Sequence, residues 1–390
     1  MWKRFHKVLR CPFCANSLQL IVFQSSASRL SDEHVTVARR RGLYDGDFDQ
    51  YVREGILLCA DCRLRFPITN GLPILLRYQT PLHERFALNF DERLAGSKLR
   101  NFDFPRGEPV PGEQFVLKSF SQEWGDYEYD GVLWEASYQD LEQRFLREMN
   151  LPAGDSLDLF LEVGCGLGIS TYLAQKNYGG DAVGADLSQS VLQASKHYKS
   201  NPFLHFIQAS VFHLPLEKKS FDAVYSRGAL HHTFSTHEAL KSLADYCRPA
   251  GQLYLWVYGK KSINDNPFRK CAYFVESVFR PLLSKRPDVP LARSFLAFMA
   301  LSYLGFNKLR RAQDAQVQGY DFKRAMHAAR DRFTPRYAHR HEPAEVSAWF
   351  KELGFTNIEP VDWKLMPSVE QDDFRRNVGI RGRRCERIEA

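Results

Sequence analysis

The sequence predicts a doubly wound, Rossmann-like α/β fold, preceded by a four-cysteine unit and interrupted late by a mainly helical insert. Three observations carry this. First, an apolar strand-like run at 157–163 turns through glycines into a helix-like segment, and a second apolar strand then ends on Asp186. Second, a further strand-like run follows at 203–209. Third, two C-x2-C pairs stand in the first 62 residues, far from that pattern. With 390 residues and 44% hydrophobic content the chain can bury more than one core, so the expected units are 1–77, 78–150, 151–258, 259–340 and 341–390.

The first element is the cysteine unit. Cys11 with Cys14, and Cys59 with Cys62, each place two thiolates on one tight knuckle, and two knuckles make the closed tetrahedral set of a structural zinc site. A redox C-x-x-C stands singly beside a βαβ unit, and none precedes residue 80. The spacer at 15–58 is long and includes Arg39, Arg40 and Arg41. Eight cysteines in a chain of this length are no disulfide framework, which fits a reducing cytoplasm. No run of eighteen uncharged apolar residues predicts a spanning helix, and the basic start has no apolar region after it.

Residues 78–112 are polar and punctuated by Pro and Gly, the composition of a surface connector. Leu141, Phe145 and Met149 recur at helical spacing and predict a helix over 138–149. Between them Trp124, Tyr127, Tyr129 and Trp134 form a dense aromatic cluster, suited to capping a cofactor or to a domain interface.

The turn Glu162, Val163, Gly164, Cys165, Gly166, Leu167, Gly168 is the chemical centre of the chain. Glycines accept positive φ and let backbone approach a ligand, and the helix that follows presents free N–H groups. Asp186, eighteen positions past Gly168, is placed to bind two ribose hydroxyls. A nucleoside-like cofactor follows. Glu162 would repel a pyrophosphate and attract the ammonium of an amino-acid moiety.

This turn resembles motif I of the class I S-adenosylmethionine (SAM) methyltransferases, [D/E]-x-G-x-G-x-G, of the type 11 kind. Asp186, Leu187 and Ser188 resemble motif II, and the stretch SVFHLPL after residue 209 stands where the family has its adenine-binding loop. SFDAVYSRGALHHT resembles motif IV and its turn, and RPAGQLYLWVY the fifth strand. The flanks of Cys59 and Cys62 resemble the small zinc-ribbon activator proteins that partner tRNA and release-factor methyltransferases. The resemblance implies a seven-stranded sheet, SAM as cofactor, structural Zn2+, and a ribbon that docks on the enzyme as a stabilising module. It also implies cofactor contacts from Glu162, Gly164, Cys165, Gly166, Gly168, Asp186, Leu187, Ser210, Val211, Ser226 and Arg227, with Trp124 as a cap. One departure stands out. Ser210 occupies the place of the family's adenine-binding Asp, leaving recognition to lean on the Val211 N–H.

Beyond residue 258 a family core would finish promptly, yet its last helix and two strands are expected only at 343–353, 356–363 and 377–385. The insert at 259–340 holds seventeen Lys and Arg against six acids, a local charge of +11 in a chain of +7. Its two apolar stretches, 271–283 and 291–306, suit either a buried helical cap or a lid over an apolar acceptor that carries an anionic group. The second is apolar nearly all round.

Methyl transfer needs mainly positioning, with a general base where the acceptor is a hydroxyl or a protonated amine. His231 and His232, after the fourth strand, are the candidates for that base, and Arg336, Tyr337, His339 and His341 the candidates for acceptor contact. The expected acceptor is a small or lipid-like, anionic molecule methylated on O, N or C, with an anionic membrane surface as a second partner. RNA or protein methylation, aided by the ribbon, is the alternative. Nucleic acid ranks below the small molecule because no RNA-binding motif is present.

Overall fold

The computed structural model describes residues 1–96, 98–125, 132–133, 136–152, 154–261, 267–286, 289–313, 319 and 321–386. The N-terminal unit is an antiparallel sheet of β1 (Gln19–Ala27), β2 (Gln50–Cys59), β3 (Leu64–Thr69) and β4 (Leu72–Pro73), with α1 (Asp32–Arg40) inserted between the first two strands. The long spacer between the cysteine knuckles is thus a strand, a helix and most of a second strand.

Residues 78–112 do not form a bare connector. Short helices α2 (Pro81–Asn89) and α3 (Asp91–Ala95) lay Phe86 and Leu94 against Ile56 and Leu58 of β2. The polar composition hid them because only one narrow apolar face of each is buried. Helix α4 (Glu113–Gly125) follows, then α5 (Tyr138–Met149), which buries Leu141, Phe145 and Met149 as their spacing requires.

The second sheet has seven strands: β5 (Leu159–Val163), β6 (Asp181–Asp186), β7 (Leu204–Gln208), β8 (Phe221–Arg227), β9 (Cys247–Val257), β10 (Phe355–Pro360) and β11 (Val378–Arg384). Their order is β10-β11-β9-β8-β5-β6-β7, parallel except that β11 runs antiparallel to both neighbours. Helices α6 (Ile169–Tyr178), α7 (Ser190–His197) and α8 (Thr236–Ala244) make the crossovers. The order reverses beside β5, so the β5 and β8 carboxyl ends open on the crevice where such sheets bind ligands.

The insert folds as α9 (Pro267–Leu283), α10 (Pro290–Gln313) and α11 (Phe322–Phe333), after which α12 (Pro343–Glu352) and α13 (Gln371–Arg376) flank the last strands. Leu283, Ala292, Leu296, Ala329 and Phe333 form the insert's own small core. Helix α10 is therefore not buried all round. Among the described residues, no helix is long and apolar enough to cross a membrane.

The two sheets share one core. Phe5, Leu9, Cys11, Cys59 and Phe66 belong to the same apolar cluster as Leu161, Val183 and Ile207. The backbone joins them too: the Leu75 N–H donates to the Gln208 carbonyl at 2.9 Å, and the Arg10 N–H to the Pro215 carbonyl at 2.8 Å. Phe5 stacks on His205 at 4.2 Å, and the Arg4 guanidinium pairs with the buried Asp181.

Candidate active site

Each glycine of the β5–α6 turn has positive φ, at +78°, +52° and +78°, but each meets different surroundings. A Cβ on Gly164 would overlap the Ala229 methyl, and one on Gly168 would stand 2.6 Å from the Phe206 ring. A Cβ on Gly166 would meet nothing within 4 Å. Gly164 and Gly168 thus serve packing, while Gly166 keeps open space in front of the backbone. Gly168 also caps α6, whose first turn points its N–H groups at that space.

Two carboxylates flank this opening. Asp186, at the end of β6, accepts from the Gly166 N–H at 2.8 Å and from the Ser188 N–H and hydroxyl, each at 2.7 Å. Glu162 is buried beneath and accepts from the Thr171 hydroxyl at 2.5 Å. Burial is the main cause that pushes the Glu162 carboxyl up to about 8, with the Asp186 charge adding to it. A cation arriving beside it would hold it ionised.

Above the turn lies a cavity of about 920 Å³. Glu162, Gly164, Cys165, Gly166, Asp186, Leu187, Val211, Arg227 and His232 line it, whereas Ser210, Ser226 and His231 do not. The Ser226 hydroxyl instead donates to the Val163 carbonyl at 2.8 Å, tying β8 to β5. Trp124 belongs to α4, but its side chain lies outside the described residues, as do Tyr127, Tyr129 and Trp134.

Sequence reasoning missed Glu113. It sits in the first turn of α4, buried and lining the cavity, where it accepts from the Val110 N–H at 3.1 Å; burial raises its carboxyl and the nearby Ser210 hydroxyl counters that rise. A carboxylate therefore stands next to the position where the family's Asp is missing, supplied from 97 residues upstream. No local signal could have found it.

Arg227 is held by protein carboxylates. Its guanidinium reaches Glu148 at 3.1 Å and Glu370 and Asp373 at 3.4 Å, and stacks over Trp256 at 4.5 Å. Glu148, fully buried, also accepts from the hydroxyls of Tyr225 at 2.5 Å and Tyr254 at 2.7 Å. This network joins α5, β8, β9 and α13 into the far wall of the cavity. The Trp256 indole N–H has no acceptor among the described residues and belongs to that wall.

The two histidines differ. Neither ring nitrogen of His231 has a partner among the described residues; its ring packs 3.9 Å from that of Tyr258. His232 Nδ1 lies 2.8 Å from the Tyr337 carbonyl, which can only accept, so Nδ1 carries the proton and Nε2 keeps its lone pair. Burial lowers His232 to about 4. Of the proposed acceptor cluster, Tyr337 lines the cavity together with Arg340, but Arg336, His339 and His341 do not. His339 faces the Thr233 carbonyl at 3.0 Å and His341 the Thr236 hydroxyl at 2.9 Å, so these two strap the insert's tail to the turn after β8.

The four cysteine sulfurs lie within 4.8 Å of one another, with Cys14 and Cys59 at 3.5 Å and Cys11 and Cys62 at 3.9 Å. Tetrahedral zinc with Zn–S near 2.3 Å would set its sulfurs roughly 3.8 Å apart, so the set fits the metal. Cys11 and Cys59 are buried, and a closed set of four thiolates is the structural type of zinc site.

Sheet order, glycine turn and paired carboxylates are the arrangement expected of a class I SAM-dependent methyltransferase fold. Comparison with known proteins places the parts: residues 161–255 match the family described as methyltransferase domain, and residues 3–71 the family described as Trm112p-like protein. One chain thus carries both matches, the second over the N-terminal sheet and the first over the larger one. A tRNA U34 carboxymethyltransferase of Pseudoalteromonas atlantica is 34% identical over 137 residues, 34% of this chain and 37% of that protein. The sterol 24-C-methyltransferase of Kluyveromyces lactis is 26% identical over 40% of this chain and 44% of its own. The chain therefore spans less than half the length of these relatives. Among solved structures, a chain from the complex between the Haloferax volcanii Trm112 methyltransferase activator and a methyltransferase matches with TM-score 0.41 and 14% identity, over 70% of this chain and all of that one.

Proposed function

We propose that this protein transfers a methyl group from SAM to an RNA nucleotide. The cofactor half of the reading is carried by one observation: Asp186 and Glu162 flank a turn whose Gly166 leaves space for a ligand. When bound, SAM supplies an electrophilic methyl on a sulfonium. Asp186 would take the ribose hydroxyls, Glu162 the ammonium, and Glu113 with the Val211 backbone the adenine edge. The acceptor would stand between Trp256, Tyr258 and His232, with His232 Nε2 free to accept a proton and the indole N–H to orient an oxygen. An RNA acceptor is supported by the tRNA-modifying relatives, by the Trm112p-like domain and by the +11 insert, whose cations suit phosphates. It replaces the small-molecule acceptor as the leading reading, because no local RNA-binding motif is needed where a whole domain contributes charge.

A second reading, a lipid-like acceptor, is favoured by Phe306, which lines the cavity yet is 64% exposed at its mouth. Labelling a cell lysate with the purified protein and tritiated SAM separates the two. Ribonuclease-sensitive label in the RNA fraction supports the first; label in the organic extract overturns it in favour of the second.

A further inference from the structure

Helices α9 and α10 each have one face the fold uses and one it leaves bare. The inner faces pack Leu283, Ala292 and Leu296 on Ala329 and Phe333, and Phe279 stacks on Phe295 at 4.7 Å. The outer face of α9 carries Phe274, Val278 and Leu282 in one row, and that of α10 carries Phe298, Leu301 and Leu309 in another. These six are between 46 and 67% exposed. Of the nineteen large apolar side chains exposed among the described residues, twelve fall within 273–322. A cluster of that density marks a binding surface, since exposed apolar residues elsewhere on the chain are scattered singly.

Among the described residues, the exposed charges on these helices and the turn between them have one sign. Lys270, Lys285, Arg286, Arg293, Lys308 and Arg311 are exposed on these helices and the turn between them. Among the described residues of 267–313 the one acid is Glu276, buried and paired with Arg280, Arg332 and Arg340. Nucleic acid would use the cations and could stack on Phe274 and Phe298, but it gains nothing from the four aliphatic side chains of the rows, Val278, Leu282, Leu301 and Leu309. A second copy of the chain would bring cations against cations. An anionic bilayer uses both features, with apolar side chains below the headgroups and Lys and Arg among them.

We propose that the outer face of α9 and α10 docks on the surface of an anionic lipid bilayer, lying on it without crossing. Phe306, on α10, then sets the cavity mouth beside that surface. The proposal does not depend on which acceptor the site takes.

The test is co-sedimentation of the full chain with vesicles of phosphatidylcholine alone or mixed with phosphatidylglycerol. Binding is expected to the mixed vesicles and to weaken as salt is raised. The double variant Phe298→Glu and Leu301→Glu should lower that affinity roughly tenfold or more, because it removes inserted area and adds repelled charge. Both side chains are exposed, so an unchanged thermal melt is expected to show that the variant is folded. Arg293→Glu with Lys308→Glu, which leaves the apolar rows intact, should weaken binding in the same direction. The proposal is overturned if the mixed vesicles do not pellet the protein, or if the variants bind them as the parent does. It is equally overturned if the variants lose affinity for RNA or self-association while vesicle binding stays absent.

Discussion

With SAM seated as proposed, the buried carboxyl of Glu162 should make its affinity depend on pH. In the free protein burial pushes it up to about 8, so near neutrality it is largely protonated. An ammonium beside it favours the ionised form, so binding must drive the proton off below that pH. At about pH 6 the ionisation costs about 2.7 kcal/mol relative to a pH well above 8, a factor of about 100 in affinity. The dissociation constant should therefore fall about tenfold between about pH 6 and 7, about fivefold more by about pH 8, and then level off. Calorimetry in buffers of different ionisation enthalpy should register about one proton released per SAM at the acidic end and none above about pH 8. Glu162→Gln should bind more weakly and lose the slope, its residual profile reporting the ligand's own amino group. The sign for stability is the reverse. A carboxyl raised in the folded state contributes fully below its ordinary value and loses that contribution as pH rises through about 8, so the free protein should melt lower as pH climbs. A parent affinity that is flat between about pH 6 and 8 would refute the reasoning.

Other expectations are simpler. Gly166→Ala should leave the melting temperature within a few degrees, at a cost of about 1 kcal/mol for the positive φ, yet weaken SAM binding. Gly168→Ala should instead lower stability by about 2–4 kcal/mol, because its Cβ meets the Phe206 ring as well; equal effects of the two would show that the turn packs differently. Glu113→Gln should weaken SAM binding several-fold with little change in melting, whereas an unchanged dissociation constant would remove Glu113 from the cofactor site. Cys59→Ser should release zinc, measured by metal analysis, and destabilise the whole chain because Cys59 sits in the core common to both sheets. A zinc-free variant with full stability and activity would defeat the structural-metal assignment.

The cofactor turn, the metal ligands and the helix at 138–149 were legible because each is a local pattern: contiguous glycines, paired knuckles, a period of 3.6. Boundaries of the last strands shifted by only a few residues, Phe355–Pro360 and Val378–Arg384 against 356–363 and 377–385. Arg227 lines the cavity as expected, but its three carboxylate partners come from α5 and the start of α13, far away in the chain, so the sequence does not show them. Glu113 was overlooked for the same reason. In the insert, composition showed apolar stretches and positive charge but not which side of each helix was covered.

By itself, then, the sequence determined which chemistries the chain can hold: a nucleoside cofactor at Glu162 to Asp186 and four thiolates around a metal. These rest on residue types at short spacings, which act through backbone geometry that any fold of this class must repeat. Tertiary structure alone decided that the ribbon shares the core of the larger sheet, that Glu113 stands beside Ser210, and that the outer rows of α9 and α10 stay bare. Those outcomes depend on which distant surfaces meet, and apolar area drives burial without specifying its partner.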